Sequence, residues 1–461
     1  MKNKAYKYQL EAVRRIEHFN GRALLADEMG LGKTIEALLW IRRHPKRRPV
    51  IIVCPASLKW MWKSFVRRVL RVSCKILYGT TPLSLKKTYD FLIINYEILQ
   101  YWVNDLKKLN PKILIIDECH YIKNHKAQRT KAVRTLKDIP YIIAISGTPL
   151  TNRPAELYNT IHLLRPDIFE AKLPFTIRYC NRKWTPWGWD ISGASHLDEL
   201  HTKLKSTMMI RRLKKDVLKE LPDKIRHTIP LEIERKEYDE AVHNFVKWLS
   251  KISTAKAKRA AKAEQLVKMG YLKRLAAELK MKLVISWIDD FLEETEGKIV
   301  LFCFHRKIID ILYDNYKKTC VVIDGSVTGI DRKKAVRSFQ KDKRIRIFIG
   351  NIKAAGVGIT LTAASSLAFV EMDWVPGNHT QAEDRIHRIG QKNTANIYYL
   401  IAKDTIEAAL CKVIQKKQKV LAATLDGKTK VNELNVFDSL LKEIQIRNRL
   451  SGKHLKGEQY E

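Results

Sequence analysis

What this 461-residue chain lacks narrows it first. It contains no run of about 18 apolar residues, so nothing in it reads as a membrane-spanning helix. The opening MKNKAYKYQLEAV carries no apolar stretch of the kind that directs secretion. Its seven cysteines form no CxxC pair and total an odd number, which argues against a disulfide framework or a zinc ribbon. Several sit inside apolar runs, where cysteine acts as a small hydrophobe. No solenoid-type repeat and no low-complexity tract is present. These absences predict a soluble protein of a reducing compartment: cytoplasmic or nucleoid-associated in a phage or microbe, nuclear in a eukaryote, and not secreted. Acidic residues are scarce as well. Only 49 Asp+Glu face 86 Lys+Arg, a formal charge of +37 that draws in polyanions and makes nucleic acid the expected partner.

The length exceeds one typical domain. GRALLA (21–26), PVIIVC (49–54), DFLIINY (90–96), KILIIDE (112–118) and YIIAISG (141–147) are near-continuous apolar runs, the pattern of strands buried on both faces. KIVLFCF (298–304), TCVVIDG (319–325), RIRIFIGN (344–351) and SLAFVEM (366–372) repeat it. Helical patterns separate the runs, which predicts βαβ units and an α/β fold of two parallel-sheet lobes with helical insertions between them. The boundaries expected are 1–160 for the first lobe, 161–281 for helical protrusions and linker, 282–425 for the second lobe, and 426–461 for a brace and tail. An amphipathic helix is expected over 405–420. The tryptophans Trp184, Trp187 and Trp189 form a cluster that could stack on bases or pack upon itself.

Three segments carry chemistry. In ADEMGLGKT (26–34), Gly30 and Gly32 precede Lys33 and Thr34 between a strand and a helical run, so backbone N–H groups can approach an anion closely. Lys33 is placed for the β/γ-phosphates and Thr34 for Mg²⁺, with the helix N-terminus adding positive charge. Asp27 stands where the general phosphate-loop pattern has glycine. ILIIDECH (113–120) ends a buried strand with Asp117, the expected Mg²⁺ partner, and Glu118, expected to orient the attacking water. His120 lies too far along for those roles and is expected to couple the site to a neighbouring segment. Ser146-Gly147-Thr148-Pro149 is placed to sense nucleotide state. In QAEDRIHRIGQ (381–391), Arg385 and Arg388 would share one face of a helix and act as arginine fingers, or else form surface ion pairs with Glu383 or Asp384.

Together these segments resemble the helicase-like ATPases of superfamily two, specifically the Swi/Snf type, and their wording is nearest its fork-remodelling, strand-annealing branch. The resemblance runs from YQLEAV (8–13) to about residue 410, through IIVCPASLKWMWKSF, IINYE, DECHYIKN, SGTPLTNRPAELY, LFCFHRK, DGSV and NIKAAGVGITLTAA, with MIRRLKKDVLKELPDK (209–224) similar to the segment joining the lobes. It implies two RecA-like lobes of the P-loop NTPase class. It also implies adenine recognition by Tyr8 and Gln9, hence ATP, and a phosphate loop in which Asp27 is normal. Gln9, Asp27, Gly30, Gly32, Lys33, Thr34 and Gly358 are implied at the nucleotide, and Ser57, Lys59, His305, Lys353, Thr360 and Trp374 near DNA. For Ser57 and Thr360 helix capping is the plainer alternative, and for Trp374 a core position. The implied function is a DNA-dependent ATPase that translocates on double-stranded or branched DNA with little sequence preference, as a monomer or as the motor of a larger assembly. A strand-separating helicase on DNA or RNA is the other reading.

Overall fold

The computed structural model describes residues 5–414 except 83, 84, 86–88, 150–152, 186, 187, 251–254, 328 and 357; at 246, 248–250, 255–263 and 265 it describes the backbone alone. The chain divides into two compact units, one up to Leu221 and one from Pro222.

The first unit holds β1 (Arg22–Leu25), β2 (Val50–Cys54), β3 (Cys74–Ile76), β4 (Phe91–Asn95), β5 (Ile113–Asp117) and β6 (Tyr141–Ile145). To these it adds β7 (Lys183–Thr185), β8 (Gly188–Asp190) and β9 (Met209–Ile210). Seven of them form one sheet in the order β3-β4-β2-β5-β6-β1-β9, every pairing parallel. β7 and β8 form a separate antiparallel hairpin. The apolar runs account for the sheet: every residue of β2, β4 and β5 is buried, as strands covered on both faces must be. Helices cover it through apolar stripes. Leu99–Lys108, for example, buries Leu99, Trp102, Val103 and Leu106 at i, i+3, i+4 and i+7.

The second unit holds β10 (Lys224–Leu231), β11 (Ile299–Cys303), β12 (Cys320–Ile323), β13 (Ile347–Asn351), β14 (Ser366–Phe369) and β15 (Ala395–Ala402). Their order is β10-β15-β14-β11-β13-β12, again wholly parallel. All nine strands expected from apolar runs are present, and the fold is α/β with two parallel sheets.

The stretch read as helical, 161–281, also supplies four strands. β9 extends the first sheet, β10 edges the second, and β7 with β8 makes the hairpin. β10 carries no continuous apolar run because it is an edge strand, KIRHTIPL, whose side chains are mostly not buried. The rest of that stretch is largely helical, including Lys236–Ser250 and Ala255–Leu279. The helix expected over 405–420 is seen from 406 to 414 and buries Ile406, Leu410 and Ile414. Its remainder, and the expected brace and tail at 426–461, lie outside the described residues. None of the seven cysteines forms a disulfide, and six are buried. Among the described residues no helix is long and apolar enough to cross a membrane.

Candidate nucleotide and nucleic-acid sites

In the first unit the phosphate loop joins β1 to helix Lys33–Arg43. Gly30 and Gly32 both adopt left-handed backbone, φ 90° and 86°. At Gly32 a Cβ would also meet Gln9 Nε2 at 2.7 Å, so only glycine satisfies both constraints. Gln9 is buried; its Nε2 donates to Leu31 O (3.2 Å) and its Oε1 accepts from Tyr6 N (3.1 Å). Tyr8 OH donates to the same Leu31 carbonyl at 2.9 Å. The pair expected to read adenine thus also braces the loop. Lys33 Nζ donates to the carbonyls of Asp27 (2.7 Å) and Glu28 (3.3 Å), and burial lowers its pKa against the pull of Asp27 and Glu118. Thr34 follows it, half-buried, at the start of the helix.

Asp117 ends β5. Its Oδ2 accepts from Trp62 Nε1 (2.7 Å) and its Oδ1 from Glu118 N (3.0 Å). Burial first, then the neighbouring Glu118, pushes its pKa up to about 7. Glu118 itself stands at φ 52°, left-handed for a residue with a side chain. Ser146 Oγ donates to Glu118 Oε2 (3.4 Å), and His120 Nδ1 lies 3.4 Å from Ser146 Oγ and 3.3 Å from Glu118 Oε2. The next residue, Gly147, is as close to the loop as backbone can come. A Cβ there would strike Met29 Cγ at 2.2 Å and crowd Lys33 Nζ at 3.2 Å. Glu118, His120 and Ser146 therefore form one connected group, and Glu118 acts electrostatically on Lys33. Thr34 and Asp117 offer hard oxygen donors of the kind Mg²⁺ takes, and a buried carboxylate so reluctant to ionise gains from a cation. Among the described residues no group of three or more His, Cys, Asp or Glu is placed to hold a metal alone.

Two features of this half were not expected. Trp62, fully buried on the helix Lys59–Leu70, holds the carboxylate of Asp117. Arg212, just past β9, pairs with Asp27 and Glu36, the latter at 2.8 Å, and also donates to Tyr8 O. Both carboxylates are fully buried, so Asp27 takes part in the site by anchoring the loop through Arg212. Arg211 Nη1 donates to Ala26 O (2.8 Å), and Lys214 N to Glu28 Oε2 (2.7 Å). The signal in the sequence was the run RRLKKD, read only as part of a connecting segment.

In the second unit helix Pro376–Glu383 ends before the two arginines. The expectation that they share a helix face is thus corrected: Arg385 and Arg388 lie in the turns beyond it. They converge nonetheless. Arg385 Nη1 (3.1 Å) and Arg388 Nη1 (3.2 Å) both donate to Ile359 O, next to Gly358 with its φ of 76°. Of the alternative partners, Glu383 takes two hydrogen bonds from Arg226 (2.8 and 2.7 Å), one from Tyr399 (3.0 Å), and Lys224 at 2.9 Å, while Asp384 acts electrostatically on Arg388. Burial alone would raise the pKa of Glu383; Lys224 and Arg226 hold it far below the usual carboxylate range.

The residues expected near DNA divide. Lys59 is a correction: it is buried, with Nζ bound to Leu77 O (3.2 Å) and Asn95 Oδ1 (2.8 Å). The first turn of its helix points this position at the ends of β3 and β4 instead of outward. Ser57 is exposed in a short 3₁₀ turn and caps no helix. In the second unit His305, Lys353 and Trp374 gather around Phe304. The Phe304 ring lies 5.1 Å from that of His305, Lys353 Nζ is 4.7 Å above it, and the buried Lys273 Nζ is 3.6 Å from it and 5.7 Å from Trp374. Lys353 is exposed and Trp374 half-buried. His305 Nδ1 is 2.5 Å from Glu371 Oε1. Burial brings the pKa of Lys273 down to about 8. Thr360 lies in a loop and caps no helix; its carbonyl accepts from Gln340 Nε2 at 2.7 Å.

Comparison with known proteins bears on these arrangements. Residues 8–281 match the SNF2-related domain and residues 280–390 the helicase conserved C-terminal domain. The SWI/SNF-related matrix-associated actin-dependent regulator of chromatin subfamily A-like protein 1 of Xenopus laevis is 35% identical, over 91% of this chain and 43% of its own. The human DNA annealing helicase and endonuclease ZRANB3 is 34% identical, over 89% of this chain and 39% of its own. This chain thus spans less than half the length of either relative. A solved structure, the Sulfolobus solfataricus SWI2/SNF2 ATPase core in complex with dsDNA, is 23% identical with a TM-score of 0.44, over 91% of this chain and 92% of that one. With a glycine-framed phosphate loop, a DECH strand end and paired arginines set in two parallel-sheet units, and the domain match covering more than half its residues, the chain belongs to the SNF2-related family.

Proposed function

We propose that the chain is a DNA-dependent ATPase that uses hydrolysis to move along double-stranded DNA or to remodel branched DNA. One observation supports the reading: each unit gathers side chains of the kind that phosphoryl transfer needs. The first offers Lys33 beside the Glu118–Ser146–His120 group, the second two guanidinium groups gathered on Ile359 O.

In this reading the N–H groups of the glycine loop and Lys33 bind the ATP phosphates, and Gln9 and Tyr8 read the base. Thr34 and Asp117 would hold Mg²⁺ with the phosphate oxygens, the ion supplying charge neutralisation. Glu118 orients the attacking water. Arg385 and Arg388 stabilise charge developing on the γ-phosphoryl group, a contribution of roughly 10³–10⁵ in turnover for such fingers. They act on that phosphate only while it is present, so hydrolysis removes the charge they stabilise, and a cycle of nucleotide binding and release drives movement on the DNA. The formal charge of +37 supports a grip made mainly on phosphates.

The test compares ATPase rate on duplex, single-stranded and branched DNA and on RNA, with Lys33→Ala and Glu118→Gln as controls. Duplex or branched DNA should stimulate most, and both variants should be silent. Wild-type turnover in either variant would refute the reading. Unwinding of a labelled duplex without displacement of a triplex strand would instead identify a strand-separating helicase.

A further inference from the structure

The β7–β8 hairpin belongs to neither sheet and plays no part in the nucleotide site. Its neck is fixed. Ser195 Oγ accepts from Asn181 N (3.1 Å) and donates to Arg178 O (2.7 Å), while Ser195 N donates to Tyr179 O (3.0 Å). Tyr179 OH binds Glu199 at 2.7 Å on helix Leu197–Thr207, and Cys180 and Ala194 on either side are buried. Beyond this anchored base Trp184 and Trp189 stand opposite each other in register, ring centroids 5.1 Å apart at 74°. They remain 67% and 56% exposed. Large aromatic side chains left in water side by side mark a contact surface.

The surroundings select the partner. Arg182 lies 3.9 Å above the Trp189 ring. At the neck, Arg153 and Lys172 act together on Cys180. Lys172 Nζ is 3.2 Å from His125 Nδ1, and Lys126 and Arg134 bear on the same imidazole. Apart from the Cys180 thiol, the charged side chains acting on His125, Lys172 and Cys180 are cations: Arg153, Lys172, Lys126 and Arg134. Aromatic faces beside a cationic strip are what a strand with unstacked bases requires: bases stack on the rings and phosphates lie along the cations.

We propose that the hairpin is a nucleobase-stacking element, with Trp184 and Trp189 taking bases that have left the double helix and the cations at its neck holding the phosphates of that strand. The proposal rests on the DNA-motor reading and adds to it a site for the unpaired part of a branched substrate.

The test uses the full chain and two fluorescent DNAs, a blunt duplex and the same duplex with a single-stranded arm. Binding is followed by anisotropy and fold by thermal melting. Trp184→Ala/Trp189→Ala should lower affinity for the armed DNA by about 10-fold or more, since stacking is worth roughly 1–3 kcal/mol per base. Affinity for the blunt duplex, and ATPase stimulated by it, should stay within about twofold. Trp184→Phe/Trp189→Phe should keep most of the armed-DNA affinity. Unchanged binding of armed DNA, an equal fall for both DNAs, or a Phe variant as weak as the Ala variant would each overturn the proposal. So would self-association of the wild type abolished by the same substitutions, which would assign Trp184 and Trp189 to a protein contact. Failure of the wild type to bind either DNA would instead bring down the motor reading itself.

Discussion

Arg212 binds Asp27 and Glu36 at once, and both carboxylates are withdrawn from solvent. Removing one partner of such a buried arrangement leaves uncompensated charge, at a cost of about 3–5 kcal/mol. Arg212→Met should therefore be destabilised by that order at neutral pH. The sign with pH follows from Glu36, whose pKa burial and Asp27 already raise above 4.5, against the pull of Arg212. A carboxyl whose folded value exceeds its unfolded one favours the fold below about pH 4.5 and loses that contribution as pH climbs through the folded value. Without Arg212 the folded value rises further, so the gap between variant and wild type should widen from pH 5 to pH 8. Denaturant unfolding at both values checks this, and a gap that narrows would contradict it.

Asp117 makes the same argument at the reacting end. With its pKa pushed from 3.8 to about 7, it should cost the nucleotide-free protein about 1.4 kcal/mol for each pH unit between roughly 4 and 7. Asp117→Asn should flatten that slope. Mg²⁺–nucleotide binding should release a proton near pH 6.5 and tighten as pH rises, measurable by calorimetry in buffers of different ionisation enthalpy.

Trp62 donates to the ionised form of Asp117 and so opposes the upward shift. Trp62→Phe should move the acid limb of the kcat/KM–pH profile to higher pH by about one unit, beside a packing loss of about 1–3 kcal/mol. An unmoved limb would leave Trp62 with a structural part alone.

Glu383 is gripped by Lys224, Arg226 and Tyr399 immediately before the turns carrying Arg385 and Arg388. Glu383→Gln should lower kcat for DNA-stimulated hydrolysis about 10-fold or more while changing the KM for ATP little, because in the proposed mechanism ATP is held by Lys33 and the glycine loop. A rise in KM at constant kcat would argue against a positioning part in the arginine-bearing turns.

Lys280 and Glu407 are paired in the interior of the second unit at 2.6 Å, with Leu400 O as a further acceptor for the ammonium. Lys280→Met or Glu407→Gln should each cost about 3–5 kcal/mol, and Lys280→Met/Glu407→Leu should recover most of it. Additive losses in that cycle would show that the two do not act as a pair.

The nine apolar strands were legible because burial on both faces leaves a continuous hydrophobic signature. β10 was not, since an edge strand such as KIRHTIPL alternates polar and apolar residues as loops also do. The phosphate loop and DECH could be read because close anion approach demands particular residues at adjacent positions. Trp62 and Arg212 could not, because their partners are remote in sequence: Trp62 reaches Asp117, and Arg212 reaches Asp27. Lys59 was misplaced for a related reason. A lysine at the start of a helix usually faces water, and only the ends of β3 and β4 supply the acceptors that turn it inward. The convergence of Arg385 and Arg388 survived an incorrect helix assignment, since turns brought both to one carbonyl.

Glu118 holds its carboxylate from a backbone geometry that favours glycine, at an expense on the order of 1–3 kcal/mol. Replacing it with glycine should relax the chain and free Asp117 from a like charge and, on the role proposed for Glu118, yield a hardier protein that no longer turns over. Thermal endurance and turnover are opposed at this residue, so a screen rewarding heat resistance alone would enrich inert molecules.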